Sequence, residues 1–136
     1  MGSTGRSGRI MQPSAGIGLR VSGLPWLYES MTINYGFNAT MRAKPGMGDQ
    51  LIELLASGLK EGNPASTEYC IVYQVSRSTS DPDVAHITEG WTNEEDHHRV
   101  FAGPAAQAIV AQFTDLLAEE STYTDYIPVV GKPAFA

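Results

Sequence analysis

The chain has one cysteine in 136 residues. Cys70 therefore has no partner for an internal disulfide and cannot supply a cysteine-based zinc site. Its apolar setting in EYCIVY reads as a buried structural thiol. Long apolar runs are also missing. Nothing approaches the roughly 20 residues that span a bilayer, so no membrane partner is expected. Positive charge is scarce: nine Lys and Arg against fifteen Asp and Glu give a net charge of −6. With no basic cluster, nucleic acid is not expected as a partner. The chain lacks a P-loop, a G-x-S-x-G elbow and a G-x-G-x-x-G that opens a helix after a strand, which argues against nucleotide cofactors and serine hydrolysis. A reducing, cytoplasmic location fits the lone thiol.

What is present suits one compact domain, 42% hydrophobic and 18% charged. Residues 1–30 stand apart. MGSTGRSGRIMQPSAG is Gly- and Ser-rich without period, and reads as a flexible or added leader. The folded domain is expected over 31–136. TINYGFNATMRA alternates, with Ile33, Tyr35, Phe37, Ala39 and Met41 on one face and Asn34, Gly36, Asn38 and Thr40 on the other, the period of a strand. DQLIELLASGLKEG then sets Leu51, Leu54, Leu55 and Leu59 at helical spacing, with Asp49 at the start and Gly62 past the end. STEYCIVYQVSRS and VAHITEGW read as a hairpin of two strands. The second of these puts Ile87, Glu89 and Trp91 on one face and His86 and Thr88 on the other.

TNEE predicts a capping box from Thr92 to Glu95, followed by a short helix to about Ala102. Gly103-Pro104 interrupts it before AAQAIVAQFTDLLAEE resumes. YTDYIPVVGKP closes as a strand, with Pro128 placing it at an edge or a bulge. The order β-α-β-β-α-β is a ferredoxin-like α+β plan with an antiparallel sheet.

All three histidines crowd near EGWTNEEDHHRVF, which also holds Glu89, Glu94, Glu95 and Asp96. A metal site is not expected from them. Adjacent helix residues point about 100° apart, so His97 and His98 cannot converge. No HxH, HxxxH or HExxH spacing occurs. The acidic run has a sufficient reason in the first helical turn, where the dipole favours negative charge. His98 reads as solvated. His97 shares its face with Val100 and Phe101 and reads either as a hydrogen-bonded structural residue or as a pocket wall.

Taken in order, MRAKPGMGDQLIELL, YCIVYQVSRSTSDPDV and ITEGWTNEEDHHRVFAGP resemble the antibiotic biosynthesis monooxygenase (ABM) domain family over about residues 31–131. The shared words are A-x-P-G before the first helix, a D-P turn, and E-x-W followed by an acidic helix start and a small-residue-Pro step. The resemblance implies a homodimeric α+β barrel, with the last strand reaching toward the partner. Apolar residues on both faces of the sheet would need such a partner to cover them. It also implies a cofactor-independent monooxygenase that oxidises a quinol-like or polycyclic aromatic with O₂, using no metal or flavin. On that reading Trp91, Tyr73, Ile87, Glu89 and Phe101 line the substrate pocket, His97 transfers a proton, and Asn38 orients substrate or O₂. The sequence departs from the family at Asp96, where Ala is usual, and at Val100, where some members carry a second histidine. AAQAIVAQF offers no histidine for haem. A non-catalytic ligand-binding or stress-response dimer, or an isomerase of a small signal molecule, are the alternatives on this fold.

Overall fold

The computed structural model describes residues 32–132. The leader expected over 1–30 lies outside the described residues. Four strands form one antiparallel sheet: β1 (Tyr35–Arg42), β2 (Cys70–Arg77), β3 (Val84–Trp91) and β4 (Thr122–Tyr126). Their order is β2-β3-β1-β4. Helix α1 (Gly48–Ala56) links β1 to β2. Helices α2 (Glu94–Phe101) and α3 (Pro104–Leu116) link β3 to β4. This is the ferredoxin-like α+β arrangement expected from the order of elements, and the three α-helices of the described residues belong to it.

Alternation in β1 does what period two demands. Tyr35, Phe37, Ala39 and Met41 are buried, while Asn38 and Thr40 are exposed. Cross-strand register then stacks one apolar face. Tyr35 pairs with Trp91, Phe37 with Glu89 and Ala39 with Ile87. Leu51, Leu54 and Leu55 of α1 bury against the sheet side of the core. Leu59, expected on the same stripe, is 54% exposed. The helix gives way after Ala56 to a 3₁₀ turn, Ser57–Leu59, whose tighter winding rotates Leu59 off the apolar face.

The start of α1 is capped from another element. Met47 offers no side-chain cap. Asp83, in the turn between β2 and β3, instead accepts from the backbone N–H groups of Gly46 (3.1 Å) and Gly48 (3.0 Å). Gly46 has φ +82°, which a Cβ would strain. At Gly48 a Cβ would run into the backbone of Pro82.

The second face of the sheet corrects an expectation. It is mostly polar: Asn38, Thr40, Gln74, Ser76, His86 and Thr88 occupy it in register. Thr88 donates to Asn38 Oδ1 (3.2 Å), and the Thr40 hydroxyl lies 3.1 Å from His86 Nδ1. Apolar groups gather chiefly at one end, where Ile33 and Val72 approach Gly90 and the Tyr126 ring lies against Gly36, and Val84, opposite Arg42, is buried at the other. The short strand β4 sits at the sheet edge and stops before Pro128. Beyond it Ile127, Val129 and Val130 are exposed.

Candidate active site

Between the inner face of the sheet and helix α3 lies a cavity of about 410 Å³. Ligand sites run roughly 300–1,000 Å³, so this one has room for a small ring system. Its floor is the central sheet, with Phe37, Ile87, Glu89 and Trp91. One side is closed by Leu55, Gly58, Pro64 and Ala65, and the roof by Ile109, Val110 and Phe113 of α3. Ile87 and Trp91 at the deep end are 1% and 0% exposed. Tyr123 and Val110, exposed yet lining the same cavity, mark its mouth.

Glu89 is the buried charged residue of this floor. Strand alternation sends it inward between Ile87 and Trp91, and Trp91 Nε1 donates to its Oε1 at 2.7 Å. Burial raises its carboxyl from the ordinary carboxylate range to about 7, against the opposing pull of the Trp91 hydrogen bond. A buried carboxyl that titrates near neutrality inside a cavity is a candidate acid–base group.

His97 comes off α2 into a nest of rings. Its imidazole lies 4.7 Å from Phe101, 5.0 Å from Trp91, 5.2 Å from Phe37 and 5.5 Å from Tyr35, centroid to centroid. Burial lowers it to about 4, helped by His98 and opposed by Asp125. It is therefore neutral at pH 7. Its Nδ1 is buried without a hydrogen-bond partner among the described residues. His98 is exposed and 3.7 Å from Glu94.

Five of the expected pocket residues, Trp91, Tyr73, Ile87, Glu89 and Phe101, line this one cavity together with His97. Tyr73 contributes its ring, because its hydroxyl is held by Leu55 O at 2.7 Å. Asn38 does not join them. It projects from the opposite face of β1, bonded to Thr88, so it shares no reacting centre with His97. Two further residues were not anticipated. Tyr35 donates to Asp125 Oδ1 at 3.1 Å, and both line the cavity. Burial, then the Asp125 bond, pushes the Tyr35 hydroxyl up to about 12. The alternation of TYTDY contains the signal, since it puts Tyr123 and Asp125 on one face. Only the pairing of β4 with β1 says which face that is.

The helix start also differs from expectation. Asn93, not Thr92, is the N-cap, and its Oδ1 accepts from Asp96 N at 2.7 Å. T-x-x-E and N-x-x-D are offset by one residue, and the second frame wins. The displaced Thr92 hydroxyl donates to Asp96 Oδ2. Arg99 bonds the other Asp96 oxygen and lies over the Tyr69 ring, 4.7 Å from its centroid. These contacts fix the pitch of α2, and with it the entry of His97 into the cavity.

Fold and site together define a ferredoxin-like α+β protein with an aromatic-walled cavity between sheet and helices. A family model of antibiotic biosynthesis monooxygenases matches residues 35–112, and the chain belongs to that family. Among solved structures, a candidate antibiotic biosynthesis monooxygenase from Chloroflexus aurantiacus is 32% identical. The alignment covers 73% of this chain and 96% of that one, with a TM-score of 0.63. A conserved protein from Methanosarcina mazei, 21% identical, covers 74% and 96% with a TM-score of 0.62. A candidate antibiotic biosynthesis monooxygenase from Deinococcus radiodurans, 22% identical, covers 75% and 99% with a TM-score of 0.56. These last two share the fold. No curated protein matches the chain. No helix among the described residues is long and apolar enough to cross a membrane.

Proposed function

We propose that the protein is a cofactor-independent monooxygenase that oxidises a phenolic or quinol-like polycyclic aromatic with O₂, and that Glu89 is its base. The observation that carries this is one buried carboxyl, raised to about 7, on the floor of a cavity walled by Trp91, Phe37, Phe101, Phe113 and Tyr73. Such walls suit a flat ring. They do not suit a small sugar-like signal molecule, which needs many convergent polar groups.

The chemistry balances without an added reductant. Ionised Glu89 takes the phenolic proton. The phenolate passes one electron to O₂, and the radical pair joins at the ring carbon ortho or para to the hydroxyl, forming a C–O bond. Glu89 returns its proton to the peroxide. The hydrogen on that carbon then leaves as a proton while the O–O bond breaks. One O₂ oxygen stays as a carbonyl, the other departs as water, and all four electrons come from the substrate. The apolar walls exclude water from the radical pair. Neutral His97 orients the ring hydroxyl. At about 4 it is a weaker base than Glu89.

The same reading includes a homodimer. The exposed apolar Tyr123, Ile127, Val129 and Val130 form a strip beside the sheet edge that a second copy would cover. Sedimentation should give a dimer, and a monomer at micromolar concentration would remove this part of the proposal.

Chelator-treated protein, incubated with polycyclic phenols, should consume O₂ and place one ¹⁸O atom in the product. Ligand-induced thermal stabilisation without oxygen uptake would instead make the protein a non-catalytic binder.

A further inference from the structure

The polar groups of the cavity are arranged by the sheet, and their signs agree. Phe37 on β1 pairs with Glu89 on one side and with Asp125 on the other. The three side chains share one face, so two carboxylates flank one aromatic ring. Strand spacing sets their backbones roughly 10 Å apart. Glu89 sits at the deep end, 5% exposed, and Asp125 near the mouth. Each has one oxygen already engaged: Trp91 donates to Glu89 Oε1, and Tyr35 to Asp125 Oδ1. Among the described residues neither second oxygen receives a side-chain hydrogen bond. Among the described residues no Lys or Arg lines the cavity.

Resting on the proposed oxidation of a phenolic ring, we infer that the cavity selects an uncharged aromatic with hydroxyl groups at both ends, one donating to Glu89 and the other to Asp125 across the face of Phe37, and rejects anionic rings. Two acceptors at opposite ends call for two donors. A carboxylate or sulfonate on the ring would face an acid at either end, with no Lys or Arg of the described residues to meet it, and the repulsion is strongest at the buried Glu89 end, where the apolar walls do not screen it. The neutral phenol enters, and its proton is removed only inside. Asp125 is thus a specificity residue at the mouth, and Tyr35 holds it in position.

The test is binding under nitrogen, so turnover plays no part. Three probes share one ring: 2,6-dihydroxynaphthalene, 2-naphthol and 6-hydroxy-2-naphthoate, titrated calorimetrically at pH 8. The diol should bind about tenfold tighter than the mono-ol, and the carboxylate at least about tenfold more weakly than the diol. Asp125→Asn should bring the diol toward the mono-ol and admit the carboxylate. Asp125→Lys should make the carboxylate the preferred ligand. Asp125 is exposed, so both variants should fold, and their far-UV spectra check that. Equal binding of diol and carboxylate, no change in the Asp125 variants, or no binding of the diol would each overturn the inference. The outcomes separate it from the oxidation itself. A charge preference without oxygen uptake keeps the selectivity and removes the monooxygenase. Turnover that is indifferent to ring charge does the reverse.

Discussion

Glu89 connects stability to chemistry. Its folded carboxyl titrates near 7 against an ordinary 4.5, so the folded protein holds its proton more tightly than the unfolded chain. That contribution is fully present below pH 4.5 and is lost as pH rises through about 7. Above that it costs at most about 3 kcal/mol. Glu89→Gln keeps the acceptor for Trp91 and removes the buried charge. It should raise stability at pH 8 by about 1–3 kcal/mol, measured by urea unfolding, while abolishing oxygen uptake. A purely structural Glu89 would not couple the two. In wild type the rate should climb with pH and level off above about 7. His97 has the opposite slope: its lowered value means its contribution is present above pH 6.5 and fades as pH falls toward 4. His97→Leu removes an unpartnered buried nitrogen and should leave stability equal or about 1 kcal/mol higher, with a slower rate. Asn38→Ala, on the far face of the sheet, should change the rate less than about twofold and stability by less than about 0.5 kcal/mol. Glu89, Trp91 and Ile87 were legible because a strand alternates. Which carboxylate carries the proton was not, because a shifted titration depends on enclosure by residues remote in sequence.

At the level of elements, period-two and helical spacing located the four strands and three α-helices of the described residues but not the 3₁₀ turns Ser57–Leu59 and Pro64–Ser66, and β3 falls on Val84–Trp91 as read. Ends were less legible. Leu59 fitted the stripe of α1, yet the 3₁₀ turn exposes it. Thr92 and Asn93 compete as caps, and both satisfy the local pattern. The cap of α1 could not be read locally, since Asp83 lies 35 residues from Gly48. Asp83→Ala should cost about 1–2 kcal/mol, and Gly48→Ala more, because Pro82 leaves no room for the methyl group. Chemical denaturation of both variants checks the order.

At the scale of the molecule, the sheet divides two tasks. Its inner face is an apolar floor interrupted by Glu89 and Asp125, and its outer face is chiefly Asn, Thr, Gln and His. A polar outer face was not anticipated from strand composition, because β2 carries apolar residues whose facing depends on the bulge between Cys70 and Val72. The proposed dimer therefore rests on the exposed C-terminal strip, and Val129→Asp with Val130→Asp should shift it toward monomer in sedimentation. The central claim is that an enclosed aromatic cavity, with Glu89 as base, oxidises phenols directly with O₂. Oxygen uptake by metal-free wild type and Glu89→Gln on polycyclic phenols tests it most directly. The account predicts steady uptake by wild type, with a rate that rises to a plateau above about pH 7, and none above background by the variant. Equal rates from both proteins, or no uptake by wild type across the panel, would contradict it.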